Sequence, residues 1–233
     1  MSECFLQVDD LRLALRRSPR RKTVQITVER DGDLLLLAPP DVDEERLRQF
    51  VLEKRFWIYS RLAEKDRLLQ TAPAKEYVDG EGFPYLGRSY RLKLVDVQDV
   101  PLKLSAGRFS LLRSELPQAR EHFIRWYSAR GKAWLTQRVL AFRNRMGLSP
   151  GGVRVQDLGY RWGSCGKGDL LYFHWKTILL PAPIAEYVVA HELAHLLEPH
   201  HTPGFWLRLE RAMPDYEQRK NWLAEHGIEV EGV

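Results

Sequence analysis

Residues 184–197, IAEYVVAHELAHLL, are the segment that most constrains how this chain can fold. Apolar residues recur on almost every face of a helix with this sequence, so the helix is predicted to be buried. Pro181 and Pro183 precede the segment and Pro199 follows it, which predicts that the helix begins and ends near these positions.

This helix also carries the pattern H-E-x-x-H, at His191, Glu192 and His195. Four residues advance a helix by about 400°, so the two histidines lie on one face and can reach one tetrahedral cation, the geometry that zinc favours. Glu192 can accept a proton from a zinc-bound water, which the metal acidifies for attack on a carbonyl. Because ionisable groups are costly on a buried helix unless something compensates them, the burial favours a metal site over a chance match.

The motif supplies two ligands, whereas a catalytic zinc site usually has three protein ligands and a water. His201 is the favoured third ligand, because Pro199 ends the helix and lets the chain fold back. Two alternatives stay open: Glu210 on a following helix, and His200, which is adjacent to His201 in sequence.

The rest of the chain predicts both strands and helices. KTVQITVER and DGDLLLLAPP read as a hairpin, followed by a helix capped by Asp41 or Asp43 with apolar residues from Leu47 to Leu62. After further hairpins, a long helix is expected from about Leu116 to Met146.

Beyond the long helix, a pair of strands, the buried helix and two final helices are expected, the last two capped by Thr202 and Asp215. The predicted class is therefore α+β: a strand-rich portion, a long helix, a small sheet and the H-E-x-x-H helix. The change from strand-like to helix-rich sequence predicts portions at 1–112 and 113–233, with one continuous domain as the alternative.

Composition indicates a globular protein, with 44% hydrophobic and 29% charged residues and a net charge of +5. No apolar run approaches the roughly 18 residues of a membrane span, and the N-terminus does not look like a signal peptide. Cys4 and Cys165 make no disulfide framework, so a cytoplasmic location is expected.

With these residues in view, the chain resembles the YgjP-type metallopeptidase family, formerly a domain of unknown function, which is related to the SprT-like and WLM proteases among the zincins. The resemblance rests on RWGSC (161–165), LLYFHWKTILLP, YVVAHELAHLLEPHHTPGFW (187–206) and RKNWL. Upstream, PRRKTVQITVERDGDLLLLAP, WI at 57–58 and YLGRSYRL (85–92) also fit, so the resemblance spans nearly the whole chain. It implies a zincin-like metalloprotease core with His191, His195 and His201 as zinc ligands and Glu192 as the base. His174 stands where the family commonly has asparagine.

In zincins the substrate lies as an extended chain along a sheet edge beside the active helix. By that analogy the strand around Arg161 forms the rim of the site, and Arg161, Tyr160 or His174 stabilises the oxyanion or contacts the substrate. The alternative for each is a structural role in a tight hairpin, with Trp162 in the core.

The stretch RRSPRRK places five basic residues within seven positions near the N-terminus. The SprT-like relatives act on proteins attached to DNA, but no zinc knuckle, helix-turn-helix or interleaving of aromatic with basic residues accompanies the stretch. A solvated turn is the favoured interpretation, so nucleic-acid association is weakly supported. His122 and His226 are predicted to be surface residues.

The sequence therefore predicts a zinc-dependent metallopeptidase that hydrolyses peptide bonds with a Glu192-activated zinc-bound water. Zn2+ is the expected cofactor, a protein or peptide is the expected substrate, and no membrane is involved. Two alternatives stay open: a zinc hydrolase of a non-peptide amide, and a non-catalytic zinc-stabilised module associated with protein or DNA. Glu192 argues against the module, because a structural site needs no base.

Overall fold

The computed structural model describes residues 4–19, 21–28, 33–69 (backbone only for 64–69), 75–159, 161–227 and 230 of the 233-residue chain. It confirms the mixed α+β class. The strands are β1 (Cys4–Val8), β2 (Leu11–Arg17), β3 (Gln25–Val28), β4 (Leu34–Ala38), β5 (Gly82–Tyr85), β6 (Arg88–Val95), β7 (Leu102–Ser105), β8 (Arg108–Leu112), β9 (Gly152–Gln156), β10 (Gly163–Cys165) and β11 (Leu170–His174). The α-helices are α1 (Glu44–Glu53), α2 (Arg55–Leu69), α3 (Ala119–Met146), α4 (Ala182–Ala194), α5 (Pro203–Ala212) and α6 (Tyr216–His226), and 3-10 helices lie at Arg113–Gln118, Lys167–Asp169 and Trp175–Leu179.

The chain divides into two compact units, Met1–Ala72 and Pro73–Val233. The first contains a four-stranded sheet in the order β1-β2-β4-β3, and the second contains the sheets β5-β6-β8-β7 and β10-β11-β9. The change in sequence character near residue 112 lies inside the second unit, where β5 to β8 share a core with α3. The compact units and the sequence change therefore divide the chain at different places. The portions 1–112 and 113–233, and the alternative of one continuous metallopeptidase domain, stay predictions.

In the first unit, strands β3 and β4 pair antiparallel, as the predicted hairpin requires. Asp43 caps α1, since its side chain accepts a hydrogen bond from the backbone N–H of Arg46 at 2.7 Å. The single helix expected after this cap is interrupted at Lys54, so α1 and α2 are separate helices. Leu47 and Val51 are fully buried in the core of this unit.

The long helix α3 begins at Ala119, and the turn before it is a 3-10 helix rather than the start of α3. Gly131 does not break α3. A methyl group at this position would meet Ile178 at an ordinary van der Waals distance. The helix ends at Gly147, which takes the left-handed conformation (φ 66°) and donates its N–H to the carbonyl of Arg143.

Helix α4 carries the H-E-x-x-H pattern and is buried on nearly every face, as predicted. It contacts α3, α5, α6 and strand β10, all within the second unit. The helix ends with His195 as its C-cap, and a turn carries the chain on from there. The surrounding elements thus enclose the helix and leave its last turn to face the loop before α5.

Strands β10 and β11 form the predicted antiparallel pair, and β9 joins β11 on the other side as a parallel strand. Within the described residues β10 is therefore one of the two edge strands of this small sheet, and β9 is the other. Its contact with α4 places the R-W-G-S-C segment beside the H-E-x-x-H helix.

His122 corrects one prediction, since it is 9% exposed rather than a surface residue. Its Nε2 lies 2.7 Å from a carboxylate oxygen of Glu115, on the 3-10 helix that precedes α3. The sequence alone does not show that this turn brings a carboxylate against the helix. His226 is half-buried beside Trp222 at the end of α6.

None of the helices in the described part of the chain combines the length and apolar character that a bilayer crossing requires.

Candidate metal centre

Three histidines converge at the end of α4. His191 and His195 lie one turn apart on the helix, and His201 returns from the loop that precedes α5. One ring nitrogen from each lies within 4.8 Å of the others, and the Nε2 atoms of His191 and His201 are 3.0 Å apart. His200 and Glu210 are exposed and do not belong to this group.

The return of His201 follows from local sequence. Pro199 cannot continue the helix, and Thr202 caps α5 by accepting a hydrogen bond from the N–H of Phe205 at 3.3 Å. Pro203 occupies the first position of α5, where its missing N–H costs nothing. These local signals fold the chain back over a short distance, which leaves His201 facing the end of α4.

The contacts of the two helical histidines suit metal binding. Nδ1 of His195 lies 3.0 Å from the carbonyl oxygen of Glu198, so its N–H donates there and Nε2 keeps its lone pair. Nδ1 of His191 faces the hydroxyl of Tyr187 at 3.4 Å. Histidine ligands usually engage their second nitrogen in this manner, which orients the ring and sets the tautomer.

The spacing of the facing nitrogens also fits a small cation. Zinc–nitrogen bonds of about 2.0–2.1 Å in a tetrahedron separate neighbouring ligand atoms by about 3.3 Å. The Nε2 atoms of His191 and His201 are 3.0 Å apart, close to that separation. All three donors are imidazoles, which suit zinc among several transition metals.

Desolvation lowers the pKa of each of the three histidines, although two of them are only half-buried and His201 is exposed. The pKa of His191 is lowered to about 3, mainly by burial and also by the neighbouring His195 and His201. Burial is also the main cause that lowers the pKa values of His195 and His201. Near neutral pH the three rings are therefore in the neutral state that metal ligation requires.

Two aromatic residues enclose the cluster. The ring centroid of Phe205 lies 4.9 Å from His191, 4.6 Å from His195 and 4.8 Å from His201. Trp206 stacks on His201 at 5.4 Å with an interplanar angle of 21°. No sequence pattern predicted these contacts, although the two aromatic residues follow the third histidine in the same short segment.

Glu192 lies on the same helix but faces strand β10. Its side chain is 6% exposed, and burial raises the pKa of its carboxyl to about 8, while the charge of Arg161 lowers it. A Cβ on Gly163 would lie 2.6 Å from Cγ and 2.7 Å from Oε1 of Glu192. The strand approaches the carboxyl this closely only because residue 163 has no side chain, a role that the sequence analysis did not assign.

The three candidate oxyanion residues differ in their placement. Arg161 is exposed and close enough to Glu192 to favour its charged form. His174 is 2% exposed; its Nδ1 accepts from the N–H of Lys176 at 3.0 Å, and its Nε2 lies 3.3 Å from a carboxylate oxygen of Asp157. These contacts anchor the loop before β10 and argue against a substrate contact. Tyr160 lies outside the described residues.

The fold and site define an α+β protein whose buried helix contributes to a three-histidine centre able to hold a metal ion. The YgjP-like metallopeptidase domain matches residues 22–226, so the chain belongs to the YgjP-like metallopeptidase family, as its resemblance predicted. No curated protein and no solved structure matches the chain. Membership points to a metal-dependent hydrolase that acts on a protein or peptide.

Proposed function

We propose that this protein is a zinc-dependent metallopeptidase with a zincin-like core, in which His191, His195 and His201 hold the zinc and Glu192 is the general base. The observation that carries the proposal is the convergence of three imidazoles at the end of α4, beside a buried carboxyl. Family membership supports the metal and the peptide substrate.

Zinc, when bound, supplies Lewis-acid chemistry: it polarises a carbonyl and acidifies a water molecule. Glu192 takes the proton of the attacking water on a carboxylate oxygen and later donates it to the leaving amine. Burial raises the pKa of Glu192 to about 8, which favours the protonated carboxyl at neutral pH and makes the carboxylate, once formed, a stronger base. The positive charge of a bound cation would offset part of that rise.

The substrate lies extended along β10, the edge strand that contacts α4. An edge strand offers unpaired backbone groups to an extended peptide, which supplies affinity without demanding a particular sequence. Arg161, which precedes this strand, is the favoured oxyanion stabiliser among the described candidates, because it is exposed and near Glu192.

The non-catalytic alternative explains less. A zinc site that only stabilises the fold has no use for a carboxyl held against β10 at a cost in desolvation. A zinc hydrolase of a non-peptide amide would use the same groups, so only a substrate screen separates it from a peptidase.

The decisive experiment combines metal analysis with proteolysis. Purified wild-type protein is expected to contain one zinc per chain and to cleave a pool of unfolded protein or peptides. Glu192→Gln should keep the zinc and lose at least about a hundredfold in rate, because it removes the base. Glu210→Gln, at an exposed position of α5, is the matched control and should behave as wild type. Absence of zinc, or equal cleavage by Glu192→Gln, would overturn the proposal.

A further inference from the structure

A hollow of about 300 Å3 opens beside Glu192 and His191. Its apolar walls come from three elements of the second unit: Trp162 beside β10, Tyr187 and Val188 on α4, and Leu223 on α6. Tyr187 and Val188 are buried, whereas Trp162 and Leu223 are half-buried. Trp162 and Leu223 also lie together against Gly227, so the wall between β10 and α6 is already packed.

The hollow is continuous with the reactive groups because of helix periodicity. Tyr187 precedes His191 by four residues, and Val188 precedes Glu192 by four, so each pair shares one face of α4. A peptide whose carbonyl lies between Glu192 and the histidines therefore has the side chain of an adjoining residue directed along this face. The hollow lies where that side chain would enter.

Size and polarity restrict what can enter. A closed apolar cavity of about 150 Å3 accommodates a benzene ring, so this open hollow has room for a ring or a branched aliphatic chain. Arg161, His191 and Glu192 also line the hollow, but most of its wall is apolar. A charged side chain would lose much of its hydration against that wall, and this loss is costly. Glycine or alanine would leave most of the apolar wall exposed to water, which forfeits the gain from burial.

We infer that this hollow is a side-chain subsite that selects a bulky apolar residue, such as leucine, methionine or phenylalanine, next to the scissile bond. The inference rests on the proposed peptidase function and names its substrate class. Pre-formed concave pockets with apolar walls and a few polar groups at one end are the usual form of such subsites. The subsite thus makes cleavage selective, while β10 contributes affinity that does not depend on sequence.

The first test changes Leu223, the residue of the apolar wall that is farthest in sequence from the histidine cluster. Leu223→Trp should fill the subsite and Leu223→Ala should enlarge it, and cleavage sites in a peptide pool are mapped by mass spectrometry. Wild type should cut next to bulky apolar residues. Leu223→Trp should lower kcat/KM for a phenylalanine peptide at least about tenfold relative to its alanine counterpart, the scale at which pockets discriminate single apolar groups. Leu207→Trp, at an exposed leucine on α5, is the matched control and should retain the wild-type preference.

A second test reads binding without turnover. Blocked pentapeptides with a central phenylalanine, alanine or glutamate are titrated calorimetrically into Glu192→Gln protein loaded with zinc. The phenylalanine peptide should bind at least about tenfold more tightly than the others, and Leu223→Trp in the same background should abolish the difference. Zinc content and circular dichroism identify any variant that fails to fold.

The outcomes separate the two proposals. Cleavage without an apolar preference, or a preference that Leu223→Trp leaves unchanged, overturns the subsite and leaves the peptidase standing. Selective binding that depends on Leu223, with no cleavage by wild type, supports the subsite and overturns the peptidase. Equal binding of the three peptides overturns the subsite whatever the activity.

Discussion

Two groups of histidines among the described residues differ in their surroundings: one contains two buried histidines, and the other is the cluster of two half-buried histidines and one exposed histidine at the end of α4. His122 and His174 each face a carboxylate, from Glu115 and Asp157 respectively. The histidines at the end of α4 instead turn ring nitrogens towards one another, and the Nε2 atoms of His191 and His201 are 3.0 Å apart. A histidine with a carboxylate partner is complete as a structural element, whereas a cluster of facing imidazoles is completed by a cation.

The largest expected effect comes from removing one member of the cluster. His201→Ala should abolish or sharply reduce zinc binding, because it removes the member of the three-histidine cluster that lies in the loop beyond the end of α4. Zinc per chain is measured after dialysis against metal-free buffer. Glu210→Ala, which removes an exposed carboxylate on α5, should retain the metal. The reverse result would move the third ligand onto α5 and break the comparison.

The next effect separates metal binding from catalysis. Gly163→Ala should displace the Glu192 carboxyl, because the new methyl group would lie 2.6 Å from its Cγ. The rate of peptide cleavage should fall about a hundredfold, the scale of a misplaced catalytic group, while zinc content is unchanged. Gly131→Ala is the control, since its methyl group has ordinary room within α3. Full activity in Gly163→Ala would show that the carboxyl needs no such clearance.

A third prediction concerns stability. A ligand that binds only the folded state stabilises it by about 2.7 kcal/mol at a hundredfold excess over Kd. Chelation should therefore lower the free energy of unfolding of wild-type protein by about 3 kcal/mol, as followed by denaturant titration with and without zinc. The same treatment should leave His201→Ala unchanged. An equal response from both proteins would mean that the stabilising metal lies elsewhere.

The smallest effect is expected from replacing a histidine that faces a carboxylate. His122→Ala removes a histidine that contacts Glu115 at 2.7 Å, and it should cost about 1–2 kcal/mol in the free energy of unfolding. Zinc content and cleavage should be unaffected. His226→Ala, at the half-buried end of α6, should change stability by about 0.5 kcal/mol or less. Loss of zinc in His122→Ala would remove the distinction between the two kinds of histidine.

Much of the centre could be predicted because the signals are local. Helix periodicity places His191 and His195 together wherever the helix lies, and the apolar residues around them predict its burial. Proline at 199 and the Thr202 cap predict the return of the chain. The break at Pro199 also favoured His201 over Glu210 as the third ligand. Whether either residue lies near His191 and His195, however, depends on the folded chain.

The secondary structure shows the same limit at finer scale. The pattern of apolar residues predicted one helix after Asp43, because the spacing continues across Lys54, where the backbone leaves the helix. It also placed the start of the long helix at Leu116, although the residues before Ala119 form a tighter 3-10 turn. Such boundaries depend on small differences in backbone geometry that periodicity does not register.

By itself, the sequence determined the family, the α+β class, the buried H-E-x-x-H helix and the loop that returns a third histidine. Each follows from residues that are neighbours along the chain, or from motifs that span it. Only the tertiary structure decided that Gly163 makes room for Glu192, that Phe205 encloses the three histidines, and that His122 and His174 have carboxylate partners. The contacts of Gly163 and His174 join segments far apart in sequence, whereas those of Phe205 and His122 depend on how a nearby loop or turn packs against a helix. Close packing of the folded chain therefore determines them rather than local preference.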